Sequence, residues 1–113
     1  MAALETVSEQ TLIADGRAPL IPSDLDVPWP ENTKRIPAKT MARKIIEHNP
    51  RHRYSGIYRM TAAIWRMLDP SQGGQPIELN GYRYTAELIT LRPSFRMSVT
   101  IVRRPVAALA RAA

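Results

Sequence analysis

Runs of alternating apolar and polar residues predict a three-stranded antiparallel meander in the second half of the chain. The predicted strands cover about 77–79, 82–91 and 95–103. Asn80-Gly81 tolerates positive φ at both central positions of a two-residue type I′ turn, so it connects the first two strands. The next loop must hold two or four residues, because only an even number pairs Leu88 with Val99, both apolar. One face of the sheet is therefore predicted to face a core.

Apolar residues at helical spacing predict two helices before the meander, at about 37–48 and 55–68. The first helix carries its apolar stripe on Ala38, Met41, Ala42 and Ile45. The second carries its stripe on Ile57, Met60, Ile64, Met67 and Leu68. A proline follows each helix, at Asn49-Pro50 and Asp69-Pro70, and disfavours the helical conformation of the residue before it. The predicted fold class is α+β, with both helices packed on one face of the meander.

The ends of the chain are predicted to lie outside this domain. Residues 1–36 are expected to form an extended, partly disordered acidic arm, because closely spaced prolines fix φ and remove backbone donors. Apolar residues among these prolines indicate that the part around 21–29 lies against the body or a partner. The α+β domain then covers 37–104. Residues 105–113 form an alanine-rich tail that is too short to hold a helix alone.

Charge is distributed unevenly along the chain. Residues 1–32 contain six acids and one base, whereas residues 33–113 contain fifteen bases and four acids. These segments carry −5 and +11, which gives the net charge of +6. A body this basic attracts polyanions, and nucleic acid is the most common of them. The acidic arm is also able to fold over the basic body and compete with such a ligand.

Basic and aromatic residues are interleaved in the two predicted helices and the connection between them. Lysine and arginine contact phosphates, and aromatic rings stack on unpaired bases. We therefore predict a small non-enzymatic nucleic-acid-binding protein, for DNA or RNA. Its expected contact residues are Lys39, Arg43, Lys44, Arg51, Arg53, Tyr58, Arg59, Trp65 and Arg66. The alternative for the two aromatic residues is that they bury against the arm.

A protein-binding module is the main alternative function. The predicted outer face of the sheet is more apolar than a solvated face requires, and the third strand is expected to lie at an edge. Such an edge can add a strand from a partner or form a homodimer. The expected interface residues are Ile89, Leu91, Arg96 and Val102. An assembly subunit, or a small inhibitor encoded by a bacterial or phage mobile element, would dock in this way on an acidic partner.

An enzymatic alternative comes from the order of the elements. Two helices followed by antiparallel strands that carry arginines resemble small bacterial ribonuclease toxins of the RelE/ParE type. The resemblance implies that arginines hold the scissile phosphate while a histidine or tyrosine moves protons. The candidates are His52, Arg83, Tyr84 and Arg96. The strand expected to lead this order is not evident in the sequence.

Several other classes are not expected. His48 and His52 are four residues apart, but Asn49-Pro50 interrupts the helix that would align them, so no metal site is predicted. No phosphate-binding glycine motif or other cofactor signature is present, and no cofactor is predicted. No apolar run approaches the roughly 20 residues that span a membrane. With no cysteine and no signal-peptide pattern, we expect a cytoplasmic protein without disulfides.

Overall fold

The computed structural model describes residues 18–107, which form an α+β fold of two α-helices on a four-stranded antiparallel sheet. The elements are β1 (Arg35–Pro37), α1 (Ala38–His48), α2 (Ile57–Leu68), β2 (Ile77–Leu79), β3 (Tyr82–Leu91) and β4 (Arg96–Pro105). The strand order in the sheet is β1-β4-β3-β2. Residues 1–17 of the predicted arm and 108–113 of the predicted tail lie outside the described residues.

Over residues 18–107 the sheet already has four strands, so the prediction of three was wrong. The additional strand, β1, pairs antiparallel with β4 and places Ile36 opposite Ile101. Three residues are too few to show an alternating pattern, and a proline ends this strand, so the sequence gives it no signature. Because β1 covers residues 100–102, β4 is not an edge strand there, contrary to the prediction.

The predicted register of the meander is confirmed. Asn80 and Gly81 have φ angles of 51° and 81°, as a type I′ turn requires. A four-residue loop joins β3 to β4 and places Leu88 opposite Val99. Most apolar positions of the two long strands therefore share one side, which we call the inner face and which includes Tyr84 and Ile101. The opposite side, which includes Thr85 and Val102, is the outer face.

The two helices cover the inner face and form the core with it. The stripe of α1 is fully buried, whereas in the stripe of α2 Ile57 and Met67 are only half-buried against the core. Residues three and four apart share one side of a helix, so both stripes face the sheet. The buried residues of the helices are Ala38, Met41, Ala42, Ile45, Met60, Ile64 and Leu68. They form one cluster with Ile36, Tyr84 and Ile101 of the sheet. The opposite sides of both helices are left to solvent.

Residues 18–34, which we call the leading segment, complete this core. Leu25 is fully buried and Val27 is nearly so, and both belong to the main cluster. The ring of Trp29 meets that of Tyr84 edge-on, with 6.0 Å between their centroids. The packed domain therefore begins before residue 37, where the sequence placed its boundary, because apolar residues between the prolines fill space that the helices leave open.

Asp24 attaches the leading segment to the connection between the helices. Its carboxylate oxygen Oδ2 accepts the backbone N–H of Ile21 at 2.9 Å and lies 2.9 Å from Nε2 of the fully buried His52. Oδ1 accepts a hydrogen bond from the Asn49 amide and lies 3.3 Å from Nη1 of Arg51. Burying a charged group is costly unless it is paired and hydrogen-bonded, and Asp24 meets both conditions.

Replacing Asp24 should destabilise the whole domain. We expect Asp24→Ala to lower the free energy of unfolding by about 3–5 kcal/mol, because the variant leaves the other members of a buried polar group without their acceptor. Urea denaturation followed by circular dichroism measures the change. The control is Asp26→Ala, an exposed acid two residues away, for which we expect less than about 0.5 kcal/mol. Equal losses in the two variants would contradict the assigned role of Asp24.

Candidate nucleic-acid interface

The solvent sides of α1, α2 and their connection carry most of the predicted contact residues. We call this area the helix surface. Its exposed members are Lys39, Arg43, Arg53, Tyr58, Arg59 and Arg66. Lys39 and Arg43 are four residues apart and share one side of α1, and Arg59 and Arg66 are seven apart and share one side of α2. The other three predicted residues, Lys44, Arg51 and Trp65, are half-buried.

The leading segment leaves the charge of this surface largely uncompensated. Arg51 is the one predicted contact residue that forms an ion pair within residues 18–107, with Asp24. Asp26 and Glu31, the other acids of the leading segment, are exposed and pair with no described residue. The described part of the arm therefore does not mask the helix surface.

Tyr58 is the aromatic residue best placed to contact a ligand. It is 77% exposed, so it is not buried against the part of the arm that the structure describes. The Lys39 ammonium lies 5.4 Å from the centroid of its ring, within the range of a cation–π contact. A cation and a stackable ring are therefore adjacent, one on each helix.

Trp65 is less accessible, because its indole is fixed at the end of α2. The indole N–H donates a 2.7 Å hydrogen bond to Oδ2 of Asp69. Oδ1 of Asp69 accepts the backbone N–H of Ser71 at 2.9 Å. The Ser71 N–H and, to a smaller extent, the Trp65 indole hold the pKa of Asp69 below its ordinary value of 3.8.

A groove of about 460 Å³ runs between the start of the leading segment and α2. Arg59 and Arg66 line it together with the small side chains of Ala62 and Ala63. The small alanine side chains leave room between Arg59 and Arg66, so the groove is a concave part of the helix surface.

The predicted interface residues of the sheet do not form one exposed patch. Leu91 and Arg96 are exposed and Ile89 is half-buried. Val102 is fully buried, so the expectation that it belongs to an exposed surface was wrong. It lies between Thr85 of β3 and a residue of β1, the strand that the sequence did not reveal.

The four candidates for ribonuclease chemistry are not brought together. His52 and Tyr84 are buried in the core layer, so neither reaches a substrate. Arg83 lies on the outer face and Arg96 lies at the far end of β4. The structure does contain a strand before the helices, β1, which the sequence did not show. The positions of the candidate side chains therefore do not support a shared active site.

The hairpin of β3 and β4 has an exposed apolar end that the sequence interpretation assigned partly to the core. Its exposed large residues are Leu88, Leu91, Phe95 and Met97, with 45–64% of each accessible to solvent. Segment 88–99 contains two arginines and no acid. The strands simply extend farther than the two helices that would cover them. A comparison of the predicted strand and helix lengths could have indicated this uncovered end from the sequence.

A second group that the sequence interpretation missed lies on the inner face near the end of β4. The guanidinium carbon of Arg103 lies 4.0 Å from the centroid of the Tyr82 ring and 4.8 Å from that of Trp29. Arg103 follows Ile101 at the spacing of two that keeps a residue on the same face. This spacing could have indicated the group from the sequence, because an arginine at a core-facing position requires an unusual environment.

Comparison with known proteins does not extend this description. No protein-family model matches the chain, and neither the curated proteins nor the solved structures yielded a match. Over residues 18–107, no helix has the length and apolar character needed to cross a membrane. The same residues contain no group of three His, Cys, Asp or Glu side chains arranged to hold a metal ion. The properties of the surface itself are therefore the basis of the function proposed below.

The lowered pKa of Asp69 gives a prediction about acid stability. A depressed pKa stabilises the folded protein above the ordinary pKa, and this contribution disappears as the pH falls through the folded value. The difference in free energy of unfolding between the natural chain and Asp69→Asn should be constant above about pH 5 and shrink below about pH 4. Urea denaturation at a series of pH values, followed by tryptophan fluorescence, measures it. A difference that is independent of pH would contradict the assignment.

Proposed function

We propose that the protein binds nucleic acid through the helix surface and does so without catalysis. The observation that supports the proposal is that Lys39, Arg43, Arg53, Arg59 and Arg66 are exposed and form no ion pair with any described residue. Exposed cations that a protein does not neutralise internally are available to replace the counterions of a polyanion. Among the described residues, Arg51 is the one cation of the helix surface that pairs with an acid of the arm. The other cations are therefore available to a ligand.

Two features favour nucleic acid over other polyanions. Arginine outnumbers lysine on this surface, and its planar guanidinium matches a phosphate in two hydrogen bonds at once. The exposed ring of Tyr58 next to Lys39 offers a stacking platform beside a phosphate contact, an arrangement that suits unpaired bases. Contacts to phosphates carry no sequence information, so binding should be general and should weaken steeply with salt.

The double variant Arg59→Gln/Arg66→Gln tests the helix surface. We expect affinity for single-stranded and duplex oligonucleotides to fall by about tenfold or more at low salt, because two charge-assisted hydrogen bonds are lost. The slope of log K against log salt should decrease by about 2 on duplex DNA. Fluorescence anisotropy with several unrelated sequences measures both quantities, and the loss should be similar for all of them.

The control is Arg83→Gln/Arg104→Gln, which removes the same charge from the outer face of the sheet. We expect this variant to retain most of the affinity and most of the salt slope. If both double variants lose affinity equally, binding reflects net charge and not the helix surface. Absence of binding by the natural chain at low salt would reject the proposed function.

A protein-binding role is the second candidate, and the hairpin is the observation that favours it. Within residues 18–107, no strand pairs with β3 beyond residues 82–84 on its side away from β4, and none pairs with β4 over 96–99 on its other side. These backbone groups lie next to the exposed apolar end of the hairpin. A strand from a second copy or an acidic partner would satisfy the backbone and cover the apolar side chains.

Self-association through the hairpin is directly testable. We expect the natural chain to show a concentration-dependent dimer in sedimentation equilibrium, and Phe95→Ser/Met97→Ser to shift it to monomer, because the variant removes apolar area from the contact. The matched control is Tyr54→Ser, which removes a comparably exposed ring that lies away from the hairpin. A natural chain that stays monomeric at all concentrations would contradict self-association.

A further inference from the structure

Arg103 occupies an environment that differs from that of the other described arginines. Its guanidinium contacts two aromatic rings, Trp29 from the leading segment and Tyr82 from β3. The Trp29 ring is itself held, because its indole N–H donates to the Thr33 carbonyl at 2.9 Å and the ring packs in a T-shaped arrangement against the buried Tyr84 ring. The backbone N–H of Arg103 donates to the Lys34 carbonyl at 2.9 Å. The backbone of Arg103 is therefore held by a hydrogen bond, and its guanidinium group is held by the two rings.

The guanidinium donors have no acceptor in the part of the chain that the structure describes. Aromatic faces attract the positive charge but are poor substitutes for oxygen acceptors. Arg103 forms no ion pair with a described acid, although Glu31 lines the same cavity. Its N–H groups thus remain available at the edge of the plane. An arginine whose geometry is fixed in advance loses little entropy when an anion binds.

A cavity of about 500 Å³ adjoins this arginine. The leading segment forms one wall through residues 29–34, and Tyr82 and Pro105 contribute to the other. Lys34 supplies a second cation, so the lining contains two bases against one acid. Its volume falls in the range of small-molecule sites and exceeds the space that a bare phosphate needs. The aromatic rings provide apolar surface for a planar group beside the two cations.

We propose that this cavity binds a phosphate monoester joined to a planar ring, as in a nucleoside monophosphate. Arg103 would donate two hydrogen bonds to the phosphate, Lys34 would add a second charge, and the base would lie against the Tyr82 or Trp29 ring. The ligand is either a free nucleotide or the phosphorylated end of a strand. The site shares no residue with the helix surface, so a free nucleotide can occupy it whether or not that surface binds nucleic acid.

Calorimetric titration of the full chain tests the site with AMP, adenosine and inorganic phosphate. We expect saturable binding of AMP, with adenosine and inorganic phosphate each weaker by about tenfold or more, because each lacks one half of the ligand. Arg103→Lys should weaken AMP binding by about tenfold although it keeps the charge, since a lysine neither donates in a planar pair nor stacks. Arg83→Lys, on the outer face, is the matched control and should change nothing.

Short oligonucleotides with and without a 5′-phosphate distinguish the two sources of the ligand. A preference for the 5′-phosphate that disappears in Arg103→Lys, without saturable AMP binding, assigns the site to strand ends. If Arg103→Lys does not fold, Lys34→Gln replaces it, because Lys34 is exposed and its loss should still lower affinity several-fold. The proposal is overturned if neither AMP nor the 5′-phosphate is recognised, if adenosine binds as well as AMP, or if the variant that folds binds like the natural chain.

The two proposals fail separately. The Arg59→Gln/Arg66→Gln variant should retain AMP binding, and Arg103→Lys should retain most of the salt-dependent affinity for long oligonucleotides. Loss of both activities in either variant would show that the two sites are not independent.

Discussion

The carboxylate of Asp24 joins two parts of the chain that are 25–28 residues apart, and the rest of the fold depends on that connection. It holds the leading segment next to the buried His52, and the following residues then place Leu25 in the core. Two helices on one face of a small sheet bury limited apolar area, so the contribution of the leading segment matters more than its length suggests. The same path of the chain brings Trp29 to Tyr84 and to Arg103.

The connection also determines which charges remain available. Asp24 neutralises Arg51 and thereby withdraws that arginine from the helix surface. The other acids of the leading segment are exposed, and so are Lys39, Arg43, Arg59 and Arg66 of the helices. One buried carboxylate therefore provides stability and removes one charge, that of Arg51, from the surface that we propose for nucleic acid. The residue that organises the fold, Asp24, is therefore distinct from the exposed residues that a ligand would contact.

Sequence patterns predicted the parts of the fold that depend on local chemistry. The turn at Asn80-Gly81 and the period of two fix the register of β2, β3 and β4 within a single stretch. The helices likewise follow from their own stripes. By contrast, β1 forms by pairing with residues about 65 positions later in the chain, and no local pattern predicts that pairing.

The same distinction applies to the candidate sites. Exposure of Lys39, Arg43, Arg59 and Arg66 followed from their positions opposite the helical stripes. The burial of His52 and Val102 did not, because each is covered by a segment that is distant in sequence. The group around Arg103 combines three segments, and only its position on the inner face was visible in the sequence.

Glu87 connects three strands of the sheet through its carboxylate. On the outer face its carboxylate lies 3.3 Å from Arg35 and 3.9 Å from Arg104, so one acid on β3 bridges bases on both β1 and β4. The charge of these two arginines is thereby partly compensated. Because Glu87, Arg35 and Arg104 are all partly exposed, added salt screens both ion pairs, so they hold the three strands together less strongly as the ionic strength rises.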